Sequence, residues 1–287
     1  MTVTKYDGIK FMDVAVSEHV ATVTVNAPPI NIITPEHWVE FVKLANLLRD
    51  DDDVRVVVIQ SDIPGYFMPH YSVTALAQWA GGPGPSAALT LEDTGTPASE
   101  ILRTMGKVTI AIIEGRAGGG GAEIAYGCDM RFGTIGKTIF CQPEVAIGIA
   151  PGAGACARLA RLVGRSRAME ICLGCMDIDA STAEKWGILN RALPLGEVRP
   201  FVHKLAKRIA TFPVPAVQAT KLSVNRADMG TDIVSDIIFD QNAFRKTMAT
   251  KEAKTAMDAF LAAGGDTDKL ESRIGDACEE LGQKLRL

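Results

Sequence analysis

The stretch from Val108 to Gly136 constrains the fold more than any other part of the sequence. It opens with the largely apolar run 108–113, which is typical of a strand buried on both faces. Four consecutive glycines, Gly118 to Gly121, follow this run. The helix-forming residues Ala122 to Ala125 come next and include a carboxylate at Glu123. The sequence therefore predicts a buried strand, a glycine loop and a helix in direct succession.

Such a succession directs backbone N–H groups toward a negatively charged group. Glycine has no Cβ to block the approach, and a helix N-terminus carries partial positive charge. Phosphate binding and oxyanion stabilisation both use this geometry. Glu123 favours an oxyanion, since a fixed carboxylate would repel a phosphate, and no Gly-Lys-Ser/Thr ending indicates a P-loop. The alternative is that the glycines only let a helix pack closely on a strand.

Composition excludes several classes of function. The net charge of −4 over 287 residues gives no basic excess, so no nucleic-acid partner is expected. No run approaches the roughly 18 apolar residues of a membrane helix, and the first residues lack the apolar core of a signal peptide. The six cysteines are predicted to be buried free thiols in a reducing compartment, which indicates a cytoplasmic protein. Cys172 and Cys175 have metal-like spacing, but no second pair follows and no metal site is predicted.

The first two thirds of the chain alternate between strand and helix patterns. The predicted strands are 11–26 (as a hairpin or two short strands), 54–60, 108–113, 130–134, 138–140 and 188–193. The predicted helices are 35–49, 97–105, the run after the glycines, 155–163, 166–173 and 180–186. Tyr66 to Ser72 are predicted as a loop after the carboxyl end of a strand, where α/β proteins usually place ligands, and 80–98 as a mobile surface segment. Paired strands and a helix recur about three times, which predicts a right-handed winding unit.

Strand patterns stop near residue 198. Residues 198–211, 215–228, 231–249, 252–262 and 267–287 are all predicted to be helical. The chain is therefore divided into a core with the active site, 1–197, and a helical region for oligomer packing, 198–287.

Three separated motifs resemble the crotonase (enoyl-CoA hydratase/isomerase) superfamily in wording and order. They read EGRAGGGGAEIAYGCDMRF, FCQPEVAIGIAPGAGACARLARLVGRSRAMEICLG and AEKWGILNRALP, and the likeness extends from about residue 8 to 265. The resemblance implies an α/β fold, a spiral of ββα units with a C-terminal helical region. It also implies an acyl-CoA thioester substrate, no cofactor beyond the coenzyme A of that substrate, and a homotrimer or dimer of trimers.

The resemblance also implies which residues form the site. The N–H groups of Tyr71 and Gly120 would form an oxyanion hole for an enolate-like thioester oxygen. Glu123 and Glu144 match the two glutamates of the family's hydratases, which add water across an α,β-double bond. Glu144 is assigned as proton donor to Cα and Glu123 as holder of the water, although the reverse assignment fits the sequence equally. Further substrate-binding residues are predicted to be Ile30, His70, Gly119, Ile149, Pro151 and Gly152.

Some positions depart from the family pattern. Thr74 stands where relatives often carry a lysine for the CoA phosphates, and no lysine cluster follows Phe260. His70 is interpreted either as a bulky residue that shapes the pocket or as a catalytic group, because imidazole can titrate near neutral pH. The alternatives to a hydratase are an enoyl-CoA isomerase, a CoA-independent carbon–carbon bond (β-diketone type) hydrolase using His70, and a non-catalytic binding protein.

Overall fold

Six strands form the larger of two β-sheets, in the order β1-β2-β3-β5-β7-β10. The structure is a computed structural model that describes residues 5–82, 97–210, 214–228, 234, 241, 244, 245, 248–277 and 280. The strands of this sheet are β1 (Met12–Ser17), β2 (Val20–Val25), β3 (Val56–Ser61), β5 (Val108–Ile113), β7 (Met130–Thr134) and β10 (Arg191–Leu193). The β1–β2 hairpin is antiparallel, and every later strand pairs in parallel with its neighbour. The buried strands predicted at 54–60 and 108–113 are thereby confirmed as β3 and β5.

Four short strands form a second sheet, in the order β4-β6-β8-β9. They are β4 (Gly65–Met68), β6 (Gly115–Gly118), β8 (Ile139–Cys141) and β9 (Ile178–Asp179). The prediction of a loop over Tyr66 to Ser72 was wrong for its first three residues, which lie in β4. At four residues or fewer, β4, β6 and β9 are too short to show a periodic pattern in the sequence.

From β3 to β8, consecutive strands alternate between the two sheets, which produces the predicted spiral. The pairs β3–β4, β5–β6 and β7–β8 each place one strand in either sheet, and a helical segment follows each pair. The fold class predicted from the sequence, a spiral of ββα units, is confirmed.

Helices follow or separate the strands of both sheets and make up the C-terminal part of the described chain. They are α1 (Pro35–Asp50), α2 (Val73–Ala77), α3 (Ala98–Thr104), α4 (Gly119–Gly127), α5 (Ala155–Leu162), α6 (Arg165–Gly174), α7 (Ala180–Trp186), α8 (Val198–Ala210), α9 (Val214–Asp228), α10 (Lys251–Ala262) and α11 (Asp268–Glu271). In the described part of the chain a 3-10 helix, Glu144–Ile147, begins directly after Pro143. No helix among the described residues is long and apolar enough to cross a membrane.

Apolar packing fixes the C-terminal helices to the spiral. Val202 and Ala206 of α8 are fully buried in a cluster with Val58 and Ile110 of the larger sheet. A second cluster joins Phe260 of α10 to α2 and the 3-10 helix. This second cluster holds the C-terminal region against the carboxyl ends of the strands, where the functional site lies.

The C-terminal predictions had mixed outcomes. The helices at 198–211, 215–228 and 252–262 are confirmed as α8, α9 and α10. The prediction of one continuous helix from 267 was wrong, since α11 ends at Glu271 and a separate helical turn begins at Ile274. The carbonyl oxygen of Ser272 accepts a hydrogen bond from Arg116. In a continuous helix this oxygen would instead accept a backbone N–H from the following turn. Most of 231–249 and of 80–98 lies outside the described residues, and the division at 197/198 stays a prediction.

Candidate active site

A cavity of about 630 Å³ lies between the N-terminus of α4, the loop after β4, the 3-10 helix and the C-terminal region. Its lining consists of Trp38, His70, Tyr71, Val73, Leu76, Trp79, Gly120, Glu123, Pro143, Glu144, Ile147, Ile149, Gly152, Ala153, Gln241, Phe244, Arg245, Met248, Ala249 and Phe260. The structure thus brings together seven residues predicted from the sequence: Tyr71, Gly120, Glu123, Glu144, His70, Ile149 and Gly152. Ile30, Gly119 and Pro151 lie outside this lining, and substrate contact for them stays a prediction.

The glycine run explains how α4 reaches the cavity. Helix α4 begins at Gly119, so three of the four glycines form its first turn rather than a loop before it. A Cβ on Gly121 would lie 2.1 Å from the carbonyl oxygen of Met68, which means that close packing on β4 requires glycine there. A Cβ on Gly120 would meet nothing closer than 3.8 Å, because Gly120 faces the cavity. Close packing is therefore confirmed for Gly121, whereas the role of Gly120 in binding an oxyanion stays a prediction.

The backbones of Tyr71 and Gly120 both lie on this wall of the cavity. The Ile33 N–H donates to the His70 carbonyl oxygen at 3.0 Å, and the Ser72 N–H donates to the Ile33 carbonyl oxygen at 2.8 Å. In extended backbone alternate residues face opposite sides, so the Tyr71 N–H points away from Ile33. Gly120 is the second residue of α4, and the first four N–H groups of a helix have no acceptor within it. The wall therefore presents the backbone of Tyr71 and of Gly120 side by side.

Glu123 is a carboxylate held by the backbone of the next helix. Its side chain is buried, and its Oε1 accepts the N–H of Ala153 at 2.8 Å and of Ala155 at 2.9 Å. Burial raises the pKa of the Glu123 carboxyl, and the donors at Ala155 and Ala153 partly offset that rise, as does the positive charge of Arg158. These donors favour the ionised form of Glu123.

Glu144 has the opposite environment. It begins the 3-10 helix, its side chain is buried, and its Oε2 has no hydrogen-bond partner among the described residues. Burial raises the pKa of the Glu144 carboxyl well above its usual range, and the negative charge of Glu123 raises it further. Because the rise in pKa is larger for Glu144 than for Glu123, the protonated form is favoured more strongly at Glu144.

His70 is a buried imidazolium. Its Nδ1 lies 2.8 Å from the Tyr71 carbonyl oxygen and its Nε2 lies 2.6 Å from Oε2 of Glu271. Burial lowers the pKa of His70, but the carboxylates of Glu271 and Asp266 outweigh burial and raise it to about 9. His70, Asp266 and Glu271 also have the composition of a metal site. The Nδ1 of the ring has an acceptor, and its Nε2 lies at ion-pair distance from Glu271 without hydrogen-bond geometry. The raised pKa favours the protonated ring, whereas a metal ligand needs one nitrogen without its proton.

Sequence reasoning missed most of the apolar wall. Trp38 was assigned only to the buried stripe of α1, while Leu76, Phe244, Met248 and Phe260 had no local signal that separated them from core residues. Their helical spacing indicates an apolar face but does not say whether that face meets a core or a cavity.

The fold and the site together define a class of enzyme. The spiral of ββα units is the architecture of the crotonase superfamily, and here it sets two buried glutamates beside the first turn of a glycine-led helix. Such a site can move protons at carbon next to a carbonyl group whose oxygen carries negative charge.

Comparison with known proteins identifies the family. The model of the enoyl-CoA hydratase/isomerase family matches residues 15–265, and the chain belongs to this family. It is 29% identical to a short-chain-enoyl-CoA hydratase of Clostridium acetobutylicum over 84% of this chain and 91% of the relative. It is 30% identical to a crotonyl-CoA hydratase of Syntrophomonas wolfei over 85% of this chain and 92% of the relative. A crystal structure of a candidate enoyl-CoA hydratase from Streptomyces avermitilis superposes with a TM-score of 0.85 at 33% identity, covering 97% of this chain and 99% of that one.

Proposed function

We propose that this protein is a hydro-lyase that adds water across the α,β-double bond of an enoyl-CoA thioester. The observation that carries the proposal is the pair of buried glutamates on the cavity lining, of which only Glu123 accepts backbone hydrogen bonds from the next helix and Glu144 has the more strongly raised pKa. Syn addition of water needs one base at Cβ and one acid at Cα, and a pair of this kind supplies both.

In the proposed hydration, Glu123 and Glu144 have different roles. Glu123, with Oε1 occupied by two backbone donors, uses its remaining oxygen to bind water and to take its proton as the water oxygen bonds to Cβ. The electrons of the double bond move onto the thioester oxygen, which accepts hydrogen bonds from the N–H groups of Tyr71 and Gly120. Each such donor contributes roughly 3–4 kcal/mol to the stabilisation of the transition state. Glu144 then gives its proton to Cα, and a proton passed from Glu123 through water restores the starting state.

The structure offers an explanation for the missing lysine at Thr74. The Thr74 hydroxyl donates to Asp266 at 2.6 Å, so this position holds a loop instead of reaching a phosphate. Arg245 lies exposed at the lining of the cavity and is the cation we propose for the anionic part of CoA. No cofactor other than the CoA of the substrate is part of the proposal.

The test is the loss of conjugated enoyl-thioester absorbance with crotonyl-CoA and cinnamoyl-CoA. We expect turnover of at least one of them, since the cavity wall is largely apolar and aromatic. The isomerase alternative predicts conversion of a 3-enoyl-CoA without water uptake. The β-diketone alternative needs His70 as a base, and the raised pKa of the ring, which favours its protonated form beside Glu271, argues against it. Absence of turnover and of CoA binding would remove the hydratase proposal.

We also propose a homotrimer or a dimer of trimers. Apolar side chains are exposed on α6 and just after it, at Met169, Leu173 and Met176, and on α9 at Leu222 and Val224. Such exposure is typical of a face that another subunit covers.

We propose a cytoplasmic location on the basis of cysteine chemistry. The five cysteines in the described part of the chain are free thiols, as is usual in a reducing compartment.

One substitution tests the placement of the acid directly. A Cβ on Gly119 would lie 2.8 Å from Oε1 of Glu144, and Gly119 has a φ of +45°. We expect Gly119→Ala to displace the Glu144 carboxyl and to lower kcat for the enoyl thioester by about 10- to 100-fold, as misplacement by an ångström does. Steady-state kinetics of the purified variant measure the effect.

Gly136→Ala is the matched control for this substitution. Gly136 has a φ of +73°, and a Cβ added there would meet no neighbouring atom within 4 Å, so this variant carries the backbone strain without the collision. Equal losses of kcat in both variants would contradict the placement of Glu144, because strain alone would then explain the result.

A further inference from the structure

The loop His70–Thr74 carries the Tyr71 N–H and is fastened on one side by Ile33. The two backbone hydrogen bonds to Ile33 fix the carbonyl of His70 and the N–H of Ser72. Since the His70 carbonyl and the Tyr71 N–H belong to one planar peptide unit, the first of these bonds also sets the plane of the Tyr71 N–H.

A C-terminal segment fastens the same loop from the other side. This segment, Asp266–Glu271, contains α11 and lies almost 200 residues further along the chain. Asp266 accepts hydrogen bonds from the Ser72 hydroxyl at 3.2 Å, the Val73 N–H at 3.2 Å, the Thr74 N–H at 2.9 Å and the Thr74 hydroxyl at 2.6 Å. One carboxylate thus holds three successive residues at the start of α2.

His70 and Glu271 form the buried part of this junction. Glu271 accepts the Asp266 N–H on Oε1 at 3.1 Å and lies 2.6 Å from Nε2 of His70 with Oε2. The Nδ1 of His70 lies 2.8 Å from the Tyr71 carbonyl oxygen and donates to it in the imidazolium form. A continuous chain of polar contacts therefore runs from the C-terminal segment through one imidazolium to the backbone of Tyr71.

The two charged side chains of this junction, His70 and Glu271, are buried. The side chain of Glu271 is fully buried and that of His70 nearly so, and the edge of the His70 ring packs on Phe260 with centroids 5.9 Å apart. The titratable groups around His70 are Glu271 and Asp266 from the C-terminal segment and Glu144 from the 3-10 helix. Because water does not screen a pair at this depth, removing one partner alone leaves an uncompensated buried charge.

We propose that the His70–Glu271 ion pair is a positioning device, which locks the loop His70–Thr74 to the segment Asp266–Glu271 and so fixes the direction of the Tyr71 N–H. This inference rests on the proposed function, because the Tyr71 N–H matters there as a donor to the thioester oxygen. His70 and Glu271 act through the backbone of Tyr71 and are positioning residues.

The kinetic test compares Glu271→Gln, His70→Gln and the double variant with wild type. We expect each single variant to lower kcat by about 10- to 100-fold for an enoyl thioester that the wild-type enzyme hydrates. KM should change by less than about threefold, because the Tyr71 N–H is misdirected while the cavity remains. The double variant replaces the ion pair with two neutral amides, and its loss of kcat should be no larger than the greater single loss. Glu280→Gln breaks the exposed Arg273–Glu280 pair near the same segment and should leave kcat unchanged.

A second measurement on ligand-free protein separates this inference from the proposed function. The amide resonance of Tyr71, assigned by NMR, should shift in Glu271→Gln and in the double variant but not in Glu280→Gln. A shifted resonance in a protein that hydrates no thioester would support the device and reject the hydratase. An unshifted resonance, or wild-type kcat in Glu271→Gln and in the double variant, would overturn the positioning role. If Glu271→Gln fails to fold, kcat and the Tyr71 amide resonance of the double variant, which is uncharged at both positions, decide whether the positioning role holds.

Discussion

Replacement of Glu144 with glutamine is expected to lower kcat for an enoyl-CoA thioester by about 10²- to 10⁴-fold, the contribution typical of a general acid. Glutamine keeps the shape of a protonated carboxyl group but has no proton of suitable acidity for Cα. The environment of Glu144 already favours a neutral group, because burial and the negative charge of Glu123 both raise its pKa. The thermal midpoint of the variant should therefore lie within about two degrees of the wild-type value, in line with a stability change below roughly 0.5 kcal/mol. Steady-state kinetics and thermal melting measure the two quantities.

Glu184→Gln is the control for this substitution. Glu184 is exposed on α7 and lies outside the cavity lining, so its loss should change neither kcat nor the melting midpoint. A Glu144→Gln enzyme that retains more than a tenth of wild-type turnover would contradict the role of Glu144 as the acid.

Replacement of Glu123 with glutamine is expected to reduce kcat by about 10²- to 10³-fold, because the amide cannot take a proton from water. The amide oxygen still accepts the N–H groups of Ala153 and Ala155, which keeps the start of α5 in place. Glu123→Ala removes this acceptor as well and leaves two buried N–H groups unpaired, at a cost of about 1–3 kcal/mol each. Urea denaturation should therefore rank Glu123→Ala well below Glu123→Gln in stability, while both lose turnover. Equal stability of the two variants would contradict the anchoring of α5 by Glu123.

Much of the catalytic wall could be predicted from local sequence. The glycine run predicted a helix N-terminus that could bind an oxyanion, and the resemblance of the motifs to the crotonase superfamily then pointed to Gly120, Glu123 and Glu144. The alternation of strands also predicted the winding of the spiral, although β4 and β6 were too short to be recognised. Local patterns are sufficient where one short segment supplies both the scaffold and the functional group.

The opposite wall could not be predicted in this way. Phe244, Met248 and Phe260 reach the cavity from a region more than 100 residues beyond Glu123, and only tertiary packing brings them there. Asp266 and Glu271 have no motif at all, and their importance depends on their contact with the loop after β4. The protonation states of the glutamates likewise depend on burial and on donors at Ala153 and Ala155, which no sequence pattern encodes.

The addition of water to an enoyl thioester by two glutamates is tested most directly by hydration of crotonyl-CoA in D₂O. The product is followed by NMR for wild type and for Glu144→Gln. We expect a 3-hydroxyacyl thioester with oxygen at Cβ and one deuterium at Cα in the wild-type reaction, and almost no product with the variant. A thioester without oxygen at Cβ that carries deuterium, either at Cα of a 3-enoyl product or at Cγ of recovered crotonyl-CoA, would contradict hydration and indicate movement of the double bond. An unreacted thioester with fully folded wild-type enzyme would contradict hydratase activity on this class of substrate.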